Sequence, residues 1–128
     1  MIDMNTFFTM ALSFPHTEHV KHFERIGFKI IGKRMFATYL ESNNTANIFL
    51  TPKEQNIFCE MDTKNIYPVP NKWGQKGATT FELAEVEKGI VMEALLSAYN
   101  NIVKPKRNDN YQGAFSGTQT TLSLPGGV

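Results

Sequence analysis

The stretch Tyr67-Pro68-Val69-Pro70-Asn71-Lys72-Trp73-Gly74-Gln75-Lys76-Gly77, followed by Ala78-Thr79-Thr80-Phe81-Glu82-Leu83, constrains the fold most. It holds the only Trp, two of the six prolines and two of the nine glycines. Pro68 and Pro70 each fix φ and push the preceding residue out of the helical region, so Tyr67 and Val69 are extended. Gly74 and Gly77 bracket a short basic stretch, as glycine does where the chain turns or backbones approach closely. Residues 78–84 then read as a strand, with Phe81 and Leu83 on one face by period two. The result is a loop pinned by extended chain at both ends, with Trp73 between Lys72 and Lys76. Trp73 has two readings. It plugs a core edge with its indole N–H on a carbonyl, or it forms a basic aromatic tip that touches a partner.

The rest of the chain reads as helix and strand around that stretch. Met4, Phe7, Phe8, Ala11 and Leu12 make one apolar stripe of a helix over residues 3–14, with Asp3 as N-cap and Pro15 just past the end. Residues 18–26 alternate weakly as a strand that Gly27 ends or bends. Phe28-Lys29-Ile30-Ile31 is a clearer strand, Gly32-Lys33-Arg34 its turn, and residues 35–41 the hairpin partner. Residues 42–45 form a polar turn and residues 46–50 the next strand. Three successive strands predict an antiparallel meander covered by helices on one face. Thr51, Pro52 and Glu54 spell a capping box with proline at the first helical position. That helix runs to about Met61, with Ile57, Phe58 and Met61 turned inward. The last helix spans residues 87–103, and Val91, Leu95, Ala98 and Ile102 form its core stripe.

The expected class is α+β, in the order α-β-β-β-α-β-α, within one domain over residues 1–107. Residues 108–128 are rich in Gly, Thr and Ser and lack periodicity, so they read as a polar, flexible tail. Phe115, Leu122 and Leu124 are its few large apolar residues.

At 128 residues, with ten Phe and four Tyr, the chain can fill one core without staples. The single Cys59 excludes an internal disulfide and a cysteine-based zinc site, and fits a reducing cytoplasm. Residues 1–14 lack the basic region and apolar run of a signal peptide, and no run approaches a membrane span, so no membrane partner is expected. Net charge is +1, which advertises no global field for nucleic acid. The distribution is uneven. Residues 21–34 carry five basic residues against Glu24, a local charge of +4. Residues 71–107 carry six basic and four acidic residues, a local +2.

Four pieces, in order, resemble the MmcQ/YjbR-like family of small bacterial proteins. They are Phe28-Lys29-Ile30-Ile31-Gly32-Lys33-Arg34-Met35-Phe36-Ala37; Leu50-Thr51-Pro52-Lys53-Glu54-Gln55; Tyr67-Pro68-Val69-Pro70 with Trp73-Gly74 and Gly77; and Ser97-Ala98-Tyr99-Asn100-Asn101-Ile102-Val103. The resemblance covers about residues 3–107. It implies a double-wing, CyaY-like α+β fold and DNA as the candidate partner. It carries over no catalytic residue and no cofactor. Many members have an aromatic residue after the glycine matching Gly77; here it is Ala78, which weakens this edge as an aromatic platform.

Several constellations could carry chemistry. His16, His19 and His22 have a metal-like spacing, but strand period puts His19 and His22 on opposite faces, so the three do not converge without a bulge. Cys59 lies beside the inward Phe58 with no cation near in sequence to activate it. The carboxylates Glu54, Glu60, Asp62, Glu82, Glu85 and Glu87 read as caps and solvated faces. Gly74-Gln75-Lys76-Gly77 lacks the spacing of a phosphate loop. The basic set Lys21, Arg25, Lys29, Lys33, Arg34, Lys72 and Lys76 remains. If the 33–34 tip and the central loop point the same way, Lys29, Lys33, Arg34, Lys72, Trp73 and Lys76 form two basic wings on nucleic-acid phosphates. The expected function is a non-catalytic, cytoplasmic nucleic-acid binder. The alternative is a small-molecule or protein-interaction module using an apolar groove near Trp73. The oligomeric state is not readable.

Overall fold

The computed structural model describes residues 1–104. The expected boundary at 107 and the tail 108–128, with Phe115, Leu122 and Leu124, lie outside the described residues. The class is α+β: a six-stranded antiparallel sheet and four helices. In chain order these are α1 (Met4–Ala11), β1 (Thr17–His22), β2 (Arg25–Ile30), β3 (Met35–Leu40), β4 (Thr45–Phe49), α2 (Pro52–Met61), β5 (Ile66–Pro68), α3 (Lys72–Gln75), β6 (Ala78–Glu82) and α4 (Lys88–Val103). The strands lie in the order β1-β2-β3-β4-β6-β5.

Two strands more than expected are present, each for a local reason. Residues 18–26 are not one strand. His22 pairs with Arg25 across a two-residue turn at Phe23-Glu24. A tight hairpin turn of the II′ kind needs positive φ at its first central residue, a place glycine usually takes. Here Phe23 takes it, at φ 59, and no Gly or Asn marks the turn. Gly27 sits inside β2, where the Met35 thioether lies against it and leaves no room for a Cβ. The second addition is β5. Its three residues, Ile66–Pro68, pair with β6 at the sheet edge, where Pro68 needs no ladder donor.

Strand register sorts the sheet into two faces. Ile26, Tyr39, Ala46, Phe81 and Ile66 are successive cross-strand partners, as are Phe28, Ala37, Ile48 and Thr79. These rows face the helices. Phe7 and Phe8 of α1 meet Phe28 and Tyr39; Tyr99 of α4 packs on Phe14 and Phe36; Phe58 of α2 meets Phe81. Phe36 reaches this face because β3 holds one extra residue there. Lys29 pairs with Met35 while Phe28 pairs with Ala37, so Phe36 is bulged inward. The intervening row, Gly27, Thr38, Asn47, Thr80 and Tyr67, faces away from the helices. It is polar and internally bonded: Arg25 Nε donates to Thr38 Oγ1 at 2.8 Å, and Thr80 Oγ1 donates to Asn47 Oδ1 at 2.8 Å. The Tyr67 hydroxyl donates to Glu82, a bond that, with some burial, pushes the phenol up to about 12.

The N-caps of α1 and α2 follow the sequence, while α1 ends at Ala11, three residues short of the expected 14. Asp3 accepts from the Thr6 N–H at 2.8 Å, and Thr51 and Glu54 close the capping box at 3.2 and 2.9 Å. In α4, Val91, Ala94, Leu95, Ala98 and Ile102 are buried. The inward face of α2 differs from the expectation. Phe58 is buried, but Ile57 and Met61 are 50% and 49% exposed, and Gln55 takes the inward place. Residues 55 and 58 stand three apart on one helix face, whereas 57 and 61 lie on the neighbouring stripe. In the first turn of α4, Gly89 has open space where a Cβ would stand. Gly89→Ala is expected to stabilise the fold by about 0.5 kcal/mol, because alanine loses less backbone entropy on entering a helix. A rise in the urea midpoint at unchanged slope checks this; a fall would mean that the end of α4 is frayed or otherwise engaged.

Candidate nucleic-acid interface

Two turns set the basic side chains in place. The first is the β2–β3 hairpin. The Lys33 N–H donates to the Ile30 carbonyl at 2.8 Å, and Gly32 stands at φ 79 in the third place of the turn. That geometry is a type II turn, which needs positive φ there. It leaves Lys33 and Arg34 exposed at the tip.

The second is the segment after β5. Asn71 caps the short helix α3, its side chain accepting from the Trp73 N–H at 2.8 Å. The chain turns back through Gly77, at φ 114, into β6. Gly74 rests on the Val69 backbone, and Gly77 rests on the Leu50 carbonyl and Thr51. The Leu50 N–H donates to the Gly77 carbonyl at 3.2 Å, and the Val69 N–H donates to the Ala78 carbonyl at 3.0 Å. The segment is thus clamped at both ends, and the residues between the glycines project outward. Trp73 is 64% exposed, so it does not plug the core edge. Lys76 Nζ stands 5.5 Å from the centre of its ring, within cation–π reach.

The two turns meet at one cleft. A cavity of about 230 Å³ has Arg34 from the hairpin and Lys76 from the α3–β6 turn among its walls. Met35, Phe49, Leu50, Thr51, Asn101 and Ile102 are also among its lining residues. Lys33 adjoins Arg34 in sequence, and Lys72 opens α3; both are exposed. Lys29 stands apart. Its Nζ is 3.9 Å from Glu18 Oε2, its cross-strand partner on β1, and it does not line the cleft.

Gln55 is the structural residue of the site that pattern reading misses. It is buried, and its Nε2 donates to the Gly74 carbonyl at 3.0 Å, the Ala78 carbonyl at 3.1 Å and Thr79 Oγ1 at 3.2 Å. It therefore fastens α2 to both ends of the turn that carries Lys76. A glutamine in the second turn of a polar-looking helix resembles any solvated residue; only its i, i+3 relation to Phe58 hints at an inward place.

The other candidates separate. His16 is exposed in a turn at φ 61; His19 packs on Phe8 and Phe28; His22 packs on Phe23. Among the described residues, no three His, Cys, Asp or Glu side chains gather as a metal-binding group. Burial pushes the Cys59 thiol up, away from the thiolate form that a nucleophile needs. Among the described residues, no helix is long and apolar enough to cross a membrane.

No family model matches the sequence, and no curated protein matches it. One solved structure is similar: the crystal structure of Deinococcus radiodurans protein DR2400, whose family-model domain is DUF419. The two share 18% identity with a TM-score of 0.71, over 86% of this chain and 85% of that one. At that identity the likeness shows a shared fold: this chain has the α+β architecture of a DUF419-domain protein.

Proposed function

We propose that the protein is a non-catalytic nucleic-acid binder of the MmcQ/YjbR-like kind, holding phosphates between its two basic turns. The observation that carries this reading is the shared cleft: Arg34 and Lys76, forty-two residues apart in the chain, line the same cavity. Lys33 and Lys72 extend the positive charge from the two turns. Phosphate contacts of this kind supply sequence-independent affinity that falls as salt displaces them. A net charge of +1 fits weak binding better than tight, specific binding.

The test is the anisotropy of a labelled nucleic acid titrated with protein at low and near-physiological salt. Changing Lys33, Arg34, Lys72 and Lys76 together to Ala is expected to weaken binding at least about tenfold at low salt. Each lost phosphate contact should also reduce the log–log salt slope by about one. Unchanged affinity and slope in the quadruple variant would refute the reading. A small-molecule module is the weaker alternative, because 230 Å³ lies below the roughly 300–1,000 Å³ of ordinary ligand sites.

A further inference from the structure

We infer that the nucleic acid this cleft takes is single-stranded, with one unpaired base stacked on Trp73. The inference rests on the nucleic-acid reading above and adds the class of ligand. Trp73 is the only tryptophan, and it stands 64% exposed on a segment whose two ends are fixed by backbone hydrogen bonds and close glycine contacts. An exposed indole costs the protein apolar hydration and contributes nothing to the core, so its position favours a ligand with a flat face. Every base has such a face, and aromatic platforms of this kind serve single strands without sequence preference. In a duplex both faces of an internal base are already stacked, so Trp73 could reach one only by insertion.

The charges beside the ring support the same ligand. Lys76 holds its ammonium within cation–π range of the ring and also lines the cleft that Arg34 lines. One cation therefore links the stacking surface to the phosphate-binding cleft. A strand with a base on Trp73 would set its adjoining phosphate at Lys76 and continue toward Arg34. The cleft is concave, a shape that suits a splayed base better than the rim of a paired helix. The element that carries Trp73 is the four-residue α3, too short to serve as a recognition helix in a major groove.

The experiment titrates the full chain with a short oligothymidylate and with a mixed-sequence duplex of equal length at low salt. Both Trp73 fluorescence and the anisotropy of the labelled nucleic acid are read. Trp73 is the sole tryptophan, so quenching reports directly on the proposed stack. The expected result is quenching by the single strand and affinity about tenfold above the duplex. Trp73→Ala should lose about tenfold for the single strand and little for the duplex, while Trp73→Phe keeps most of the affinity. The residue is exposed, so both variants fold, and circular dichroism verifies this. Duplex binding as tight as single-strand binding, or single-strand binding without quenching and insensitive to Trp73→Ala, would overturn the single-strand inference and leave phosphate binding standing. Absence of binding to either probe would overturn the nucleic-acid reading and this inference with it.

Discussion

Gly77→Ala is expected to destabilise the protein by about 4 kcal/mol, a large share of the 5–15 kcal/mol that holds a domain folded. Two effects combine there. Gly77 stands at φ 114, in backbone space that L side chains rarely enter. A Cβ built on it would overlap the Leu50 carbonyl, and Leu50 and Thr51 offer only backbone atoms that cannot rotate away. Those atoms lie where β4 ends and the capping box of α2 begins, so relief by displacement would disturb the Thr51–Glu54 hydrogen bonds as well. Gly32→Ala is the control. Gly32 has φ 79, but a methyl added there would meet nothing within 4 Å, so positive φ alone should cost about 1–2 kcal/mol. Urea unfolding of the two variants separates the effects. Equal losses would mean that the Leu50 contact carries no weight and that φ alone governs Gly77.

Much of the fold is legible because local chemistry and tertiary demand agree there. The capping box at Thr51, the Asp3 cap, the Val91–Leu95–Ala98–Ile102 stripe and the inward Phe81 of β6 each combine a local preference with burial, although β6 ends at Glu82 and leaves the buried Leu83 in the turn beyond it. Misreadings fall where tertiary packing overrides the local signal. The β1–β2 turn places Phe23 at positive φ, against its own preference, because the register of His22 with Arg25 demands it. On α2, hydrophobicity points Ile57 inward, yet Gln55 holds the inward side, where its amide donates to the Gly74 and Ala78 carbonyls and to Thr79 Oγ1. Lys29 illustrates the limit for surface charge: its engagement with Glu18 depends on a strand pairing that sequence spacing leaves open.

The convergence of Arg34 and Lys76 is legible in the sequence only as a condition. Turn residues mark both segments, but their approach depends on the order β3-β4-β6, which sets the β2–β3 tip and the start of β6 at the same end of the sheet. Trp73 is exposed on α3, directly before Gly74, whose backbone lies close to that of Val69. Aromatic identity alone favours the core plug, because a large apolar ring gains most by burial, and the 64% exposure of Trp73 goes against that preference.

Gln55→Glu is expected to cost about 4 kcal/mol at neutral pH, although it replaces one NH₂ group by one oxygen. The side-chain amide of Gln55 brings two N–H donors to three acceptors, the Gly74 and Ala78 carbonyls and Thr79 Oγ1. A carboxylate has no donor, so it would set buried negative charge against oxygens. Gln55→Leu removes the donors without adding charge. Gly74 and Ala78 each keep one partner, the N–H groups of Gly77 and Val69, so that variant should lose only about 2 kcal/mol. The pH dependence separates the two. Burial raises the folded-state pKa of the introduced carboxyl above its unfolded value of about 4.3. Protonated, that carboxyl regains one donor. Gln55→Glu should therefore be least impaired below about pH 4, and lose stability as pH rises through the raised folded-state value. Gln55→Leu should show no such added dependence. The same loss should loosen the Lys76 turn, read as faster amide exchange at Gly77 and Ala78 and weaker nucleic-acid binding, while amides in α1 keep the protection that global stability allows. A Gln55→Glu variant as stable as the parent at neutral pH would show that the amide of Gln55 does not hold the turn in place. The turn would then owe its position to the glycine contacts alone.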